Sequence, residues 1–449
     1  MHTLVLSDIH LGNGAGYDIF AGEAVLPALL DQAAAARANV IFNGDSFDFL
    51  MNEDPLELDV PRATGQAKAI AGNPPTAAVL AALGRVLAAG GAVEIRLGNH
   101  DAELALPEVQ AVFRDSLGQP PAIAARLAFT RNVEPGIVDV GGARLLLAHG
   151  EHNDPWNRLD YEHLAADKHF PYPPGSRLVK TLLNPLKRRF GMRFADLVKP
   201  DFQGGVLTAL AVDPKAVSLV FQGSTISLLW QLFRRMGDDV SFAPGQAGEE
   251  DLGLAAALDD AGLTPEERAA LEEAVDPDAA VAFGVSDLFA SASAKLAKKG
   301  LGMYARLQRK LAAGVADAFF ALDPDDGEWT DAQRLAGKFD VDAVVLGHTH
   351  AARFRCEADL TFVNTGTWIY LMRLPAADAP IEEWETFIQQ ARSNPGLDPK
   401  MGPAPPLIVR LTGLVIDPHP AGGAHLRLCE FTPAGATVLA EGHVRGRAR

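Results

Sequence analysis

The sequence predicts an α/β fold, and three observations carry that reading. Five short runs of aliphatic and β-branched residues, at 3–6, 40–42, 93–97, 144–148 and 341–346, read as buried strands. Segments with apolar residues at helical spacing separate several of them, as in strand–helix–strand crossovers. A short polar motif rich in His, Asp or Asn follows each run, so polar side chains collect at the carboxyl ends of strands, where open α/β sheets bind ligands.

The first strand run leads to Asp8-Ile9-His10. Residues 18–37 follow, with Val25, Leu26, Leu29, Leu30 and Ala33 on one helical face, a crossover to the second strand and to Gly44-Asp45. Residues 53–75 are rich in Pro, Gly and acids and read as a loop bordering the site. A second helical face within 77–88 (Val79, Leu80, Leu83, Val86, Leu87) precedes the third strand and Gly98-Asn99-His100-Asp101. The fourth strand ends at His149-Gly150. From about 151 to 326 strand signals fade and helical ones dominate. Thr264-Pro265-Glu266-Glu267 opens a helix with a capping box, 288–322 alternates Ala, Leu and Lys/Arg, and 238–260 is an acidic, Gly-rich loop. A helix over 331–338 and the strand 341–346 lead to Gly347-His348-Thr349-His350, and 407–411 and 424–431 are expected to add strands. The expected organisation is a discontinuous domain, 1–150 and 327–449, interrupted by a helical cap over 151–326.

Composition sets broad limits. At 449 residues and 48% hydrophobic content, the chain can bury a large core in two or three domains. A net charge of −17 argues against a general nucleic-acid binder. Cys356 and Cys429 lie outside every motif, which excludes a thiolate zinc site; they read as small core residues in a reducing compartment. Met1 runs directly into a strand that ends at ligand-type residues, leaving no room for a cleavable signal, and a cytoplasmic location is expected.

The motifs Asp-x-His (8–10), Gly-Asp-x-x-Asp (44–48), Gly-Asn-His-Asp (98–101), His-Gly (149–150) and Gly-His-x-His (347–350) resemble, in order and content, those of the calcineurin-like metallophosphoesterases. The resemblance covers residues 1–148 and about 330–370. Ser7-Asp8-Ile9-His10-Leu11-Gly12, Gly44-Asp45-Ser46-Phe47-Asp48-Phe49 and Asn364-Thr365-Gly366-Thr367-Trp368 are similar to the bacterial UDP-2,3-diacylglucosamine diphosphatase-like group, although His100 stands where that group often carries Arg. The resemblance implies a β-sandwich flanked by helices, in the order α/β/β/α, with two divalent metal ions. Asp8, His10, Asp45 and His350 would hold one ion; Asp45, Asn99, His149 and His348 would hold the other, with Asp45 bridging. It further implies a hydrolase that cleaves a phosphoester or pyrophosphate bond with a metal-activated water. His100 would serve the departing oxygen and Asp48 would hold His100.

The residue types suit that chemistry. Carboxylate, amide oxygen and imidazole favour Mn, with Fe or Zn as alternatives, over Ca. Two metals roughly 3.5–4 Å apart can activate a water and neutralise phosphate oxygens together. His100 fits a general acid, or a hydrogen bond that orders its loop. Asp48 and Asp101 fit either a functional role, Asp101 in substrate binding, or loop capping. Asp154 and Asn157 follow the fourth motif closely enough to line the cleft, binding phosphate or the second nitrogen of His149, or to form a turn ending at Pro155.

Within 177–199, Arg177, Lys180, Lys187, Arg188, Arg189, Arg193 and Lys199 stand against one acid, Asp196, and alternate with apolar residues. A basic amphipathic helix could engage an anionic substrate through Arg188 and Arg189, lie on a lipid surface as a peripheral contact, or be an ordinary solvated face. Residues 216–233 lack charge but are interrupted by polar side chains, which fits a buried cap helix or acyl groove better than a membrane span. The leading expectation is a phosphohydrolase acting on a small phosphorylated or pyrophosphate substrate, nucleotide- or lipid-linked. The alternatives are a nuclease-type phosphodiesterase and a non-catalytic interaction scaffold.

Overall fold

The computed structural model describes residues 2–131, 135–166, 170–199, 208–209, 212–213, 319–357, 359–376 and 378–446. The chain divides into two compact units, Met1–Arg177 with Phe320–Tyr370 and Val409–Arg449, and Leu178–Phe319 with Leu371–Ile408. These limits differ from those read in the sequence: residues 151–177 group with the first unit and Leu371–Ile408 with the second.

The first unit is mixed α/β. Its larger sheet runs β15-β14-β13-β1-β2-β3-β4. Strands β1 (Thr3–Leu6), β2 (Asn39–Asn43), β3 (Ala92–Arg96) and β4 (Leu127–Thr130) are parallel. Strands β13 (Thr412–Pro418), β14 (Ala424–Thr432) and β15 (Gly435–Val444) extend it antiparallel beyond β1. The second sheet contains β5 (Gly136–Val140), β6 (Ala143–Leu147), β8 (Ala343–Leu346), β9 (Ala352–Glu357) and β10 (Leu360–Thr365), in the order β5-β6-β8-β10-β9. Here β6, β8 and β10 are parallel.

Side-chain alternation explains how these sheets layer. Val5 and Ile41 from the first sheet share a core with Leu145, Leu147, Val345 and Val363 from the second. Their neighbours Leu4, Leu6, Val40 and Phe42 point the other way, into a core shared with helices α1 (Val25–Ala35), α2 (Val60–Gly72), α3 (Pro74–Ala88) and α4 (Pro107–Asp115). On the far side of the second sheet, Leu146, Val344 and Leu346 pack with Trp329, Ala332 and Leu335 of the helix Asp326–Phe339. Both faces of the central strands are therefore buried, which is why they read as unbroken apolar runs.

Three expectations for this unit need correction. Residues 53–75 are not simply a loop, because they contain α2. Asp59 caps that helix by accepting the Arg62 N–H at 2.8 Å, Pro61 sits in its first turn, and Ala63, Ala67, Ile70 and Ala71 form its buried face. Alanine makes a good helix but a weak hydrophobic signal, so the pattern was hidden. Cys356 is not a core residue: it is exposed near the end of β9, whereas Cys429 is buried. The helix expected over 331–338 begins earlier, at Asp326, where Asp325 and Glu328 form a capping box.

In the second unit, the basic segment is not one solvated helix. A π-helical turn (Val179–Leu183) and the helix Asn184–Phe190 end at Gly191, whose φ of 68° closes the helix in the left-handed region. A 3₁₀ turn (Arg193–Asp196) and the short strand β7 (Val198–Lys199) follow. Lys180 and Lys187 are buried, and the Lys187 ammonium donates to Asp196 at 2.6 Å. Strand β7 joins β11 (Tyr370–Arg373) and β12 (Leu407–Val409) in a small sheet ordered β12-β11-β7. The helix Ile381–Ser393 buries Trp384, Phe387 and Ile388. The expectations at 216–233, 238–260, 264–267 and 288–318 lie outside the described residues. Among the described residues, no helix is long and apolar enough to cross a membrane.

Candidate metal centre

Asp8 and His10 follow β1, Asp45 follows β2 and Asn99 follows β3, all at the carboxyl end of the larger sheet's parallel strands. His149 follows β6, and His348 and His350 follow β8, at the corresponding end of the second sheet. Three groups of side chains could each hold a metal ion: Asp8–His10–His350, Asp45–His149–His348 and His10–Asp48–His100. Asp45 lies between the first two, with Oδ2 at 3.2 Å from His149 Nε2 and 3.9 Å from His10 Nε2. Across the junction, His350 Nε2 is 3.3 Å from Asp8 Oδ1.

The backbone is bent to achieve this. Among the described residues, eight non-glycine residues have positive φ, and Asp8, His10, Asp45, His348 and His350 are five of them, at 49–71°. Such left-handed conformations are costly for most side chains, least so for Asp, Asn and His, and concentrate where function requires them. Close approach also requires glycine. A Cβ at residue 44, where φ is 96°, would meet the His149 ring at 2.3 Å, and one at residue 98 would meet Asp45 Oδ1 at 2.2 Å.

Neighbouring groups aim the lone pairs inward. Asp8 Oδ2 accepts from Ser7 Oγ at 2.5 Å and from the His348 N–H at 2.9 Å. The ring Nδ1 of His149 faces the carbonyl of Asn43 at 3.1 Å and must donate to it, so in the neutral ring Nε2 carries the lone pair. Asn99 spends its amide NH₂ on Asn157 Oδ1 at 3.4 Å. What remains is a set of buried atoms, Asp8 Oδ1, His10 Nε2, Asn99 Oδ1 and His149 Nε2, with no hydrogen-bond partner among the described residues. Buried polar atoms are normally satisfied, and converging lone pairs are what a cation would satisfy. The donor set of carboxylates, imidazoles and an amide oxygen, with no thiolate among them, fits Mn, Fe or Zn.

Electrostatics agree with that fit. Burial alone would raise the carboxyls of Asp8, Asp45 and Asp48. The imidazole of His350 beside Asp8, and the charges of His149 beside Asp45 and of His100 beside Asp48, hold them well below the usual range. In return, burial pulls His149 and His100 down but the carboxylates outweigh it, raising His149 well above its ordinary value and His100 to about 9. The site thus neutralises its buried anions with protons on imidazoles. A divalent cation held there would supply that neutralisation in place of the protons.

The other expected residues occupy different places. His100 Nδ1 lies 3.3 Å from Asp48 Oδ1, and the His100 ring stands edge-on to His10 with centroids 4.6 Å apart. Asp48 also caps the turn Phe49–Met51 by accepting the Leu50 N–H at 3.0 Å, which fits the loop-capping reading of this residue. Asp101 fits the loop-capping reading: it is fully buried, and it accepts the backbone N–H groups of Gly98, Ser46 and Phe47 at 2.6, 2.7 and 3.3 Å. It ties the second and third motif loops together, and its carboxylate is occupied in doing so. Asp154 is likewise not on His149; its Oδ2 faces His348 Nε2 at 3.1 Å. Arg188 and Arg189 are exposed residues of the second unit. The sequence assigned no role to Ser7 and Asn43, each a polar residue at the end of an apolar run. Their position was the only signal.

The chain matches no model of a known protein family, and a search of curated proteins finds no match.

Proposed function

We propose that the protein is a dinuclear metal-dependent phosphohydrolase. The observation that carries this reading is the convergence of seven ligand-type side chains from five strand ends, with buried lone pairs pointing inward. Asp8, His10, Asp45 and His350 would hold one divalent ion, and Asp45, Asn99, His149 and His348 the other, with Mn the leading candidate and Fe or Zn next. Two such ions supply an activated water and neutralise charge on a phosphoryl group.

The chain's own residues do the rest. Asp45 sets the spacing between the two ligand groups and is itself fixed, because its Oδ1 accepts the His100 N–H at 2.8 Å. His100 stands beside the ligands without being needed as one, and the Asp48 carboxylate favours its protonated form. A protonated imidazole there can donate to the leaving oxygen as the phosphorus–oxygen bond breaks. The two faces of the chemistry, ligand and acid, are joined by one backbone segment, Gly98-Asn99-His100-Asp101, held down by Asp101.

The substrate class is a small phosphoester or pyrophosphate, nucleotide- or lipid-linked, by the resemblance of the motifs around Asp8, Asp45 and Asn364. A net charge of −17 weighs against polynucleotides. The exposed Arg188 and Arg189 are candidates for contact with an anionic substrate or a lipid headgroup, and the cytoplasm is the proposed compartment. The test is hydrolysis of aryl phosphate and bis-aryl phosphate by the Mn-loaded protein, followed by a panel of nucleotides, sugar-nucleotide lipids and oligonucleotides. Absence of hydrolysis with the metal sites filled would overturn the proposal.

A further inference from the structure

A chain of side chains runs behind the candidate centre and touches two of its ligands. Asp154 Oδ2 faces His348 Nε2 at 3.1 Å and accepts from Asn157 Nδ2 at 2.6 Å. Asn157 Oδ1 in turn accepts from Asn99 Nδ2 at 3.4 Å. The other oxygen of Asp154 accepts the Trp156 N–H at 2.8 Å, so both oxygens of the carboxylate take part in this network. The backing segment is fitted to it. A Cβ at residue 175 would lie 2.2 Å from Asn157 Oδ1, the Gly175 N–H donates to the Trp156 carbonyl at 2.8 Å, and Ser176 Oγ donates to the Asn99 carbonyl at 3.3 Å.

We infer that Asp154 and Asn157 form a positioning tether that orients His348 and Asn99, two ligands of one and the same ion, and that neither residue is a substrate contact. The inference rests on the metal-centre reading above. Its chemistry is that of donors and acceptors. A carboxylate can only accept, so His348 must present Nε2–H to Asp154, which leaves Nδ1 as its lone pair for a cation. Asn157 resolves the amide of Asn99 in the same way: its oxygen takes the Asn99 NH₂, which turns Asn99 Oδ1 toward the centre, where it has no hydrogen-bond partner among the described residues. Asn157 also couples the two halves, since one amide donates to Asp154 and accepts from Asn99. A single link therefore sets the orientation of ligands that come from different sheets, in the loops after β3 and β8. Asp8 and His10, which would hold the other ion with Asp45 and His350, make no hydrogen bond to this link among the described residues.

The test is Mn binding by calorimetry to the full chain, for wild type, Asp154→Asn and Asn157→Ala, with thermal unfolding of each as a control for folding. Partners that orient metal ligands typically contribute 10–100-fold in affinity. The expected result is two Mn sites in wild type, and a roughly 10–100-fold weaker affinity at one of them in each variant, the other unchanged. Hydrolysis of an aryl phosphate at saturating Mn should then show a wild-type KM. Unchanged Mn affinity with a raised KM would make these residues substrate contacts and overturn the tether. Complete loss of one site in Asp154→Asn would make Asp154 a ligand itself and overturn it equally. If Asp154→Asn fails to fold, Asn157→Ala, which removes a half-buried amide, decides alone. Two Mn sites that respond as expected in a protein without hydrolytic activity would uphold the tether while removing the phosphohydrolase reading.

Discussion

Replacing His100 with Gln separates acid assistance from every other task at the site. The perturbation is confined to the ring, because the backbone bonds of this residue persist: its N–H still donates to Asp45 Oδ1 at 2.8 Å and its carbonyl still accepts the Phe49 N–H at 3.0 Å. The seven proposed ligands are untouched, and Gln fills a similar volume against His10. What disappears is an imidazole 3.3 Å from Asp48 that can hand over a proton. General-acid assistance contributes roughly 10²–10⁴-fold, which corresponds to about 2.7–5.4 kcal/mol of barrier. The loss should fall on kcat and grow with the pKa of the leaving alcohol, since an aryl oxide departs without help and an alkoxide does not. The pH profile supplies a second reading. In the metal-free protein His100 titrates at about 9, because burial lowers it but Asp45 and Asp48 raise it more. An acid must be protonated to act, so the wild-type rate should fall on the alkaline side. Cations sharing the charge of Asp45 should draw that limb below 9, and the variant should lack it. The assay is kcat across a series of Mn-supported phosphate esters and across pH, with metal content measured in parallel. Equal losses for all leaving groups with an unchanged alkaline limb would refute the acid role.

Other perturbations address the frame around it. Asp45→Asn should weaken both Mn sites by roughly 10²-fold or more, read by calorimetry, because an amide lacks the charge to serve two cations; full occupancy would contradict the bridge. Asp101→Ala strands three buried N–H groups at about 1–3 kcal/mol each, so its unfolding midpoint should drop sharply; an unchanged midpoint would remove the loop-tying role. Gly44→Ala places a Cβ 2.3 Å from the His149 ring at a φ of 96°, and should cost both Mn affinity and thermal stability. Normal Mn binding in that variant would show that the close approach of Gly44 to His149 is dispensable.

Much of the first unit was legible because its central strands bury both faces. Leu4, Val5 and Leu6 read as a strand whichever side each serves, and the polar residue that ends such a run has few places to go except the crevice beyond it. The proposed ligands were legible for the same reason: Asp8, Asp45, Asn99, His149 and His348 each lie just beyond the end of an apolar run. Helix α2 was not, since Ala63, Ala67 and Ala71 make a helical face without a strong hydrophobic signature. The fate of Asp154 and Asp101 was hidden for a different reason. Asp154 finds His348 from a distant part of the chain, and Asp101 finds Ser46, and no local pattern specifies such pairings. Buried Lys187 shows the same limit: its charge suggested a solvated face, and only the folded chain shows that Asp196 takes it.

The most direct test of the central claim is anomalous diffraction from crystals of the protein soaked in Mn. The account predicts two peaks per chain, one against Asp8, His10 and His350, the other against Asn99, His149 and His348, with the Asp45 carboxylate between them. A single peak, or Mn bound elsewhere with these side chains still facing one another, would contradict it.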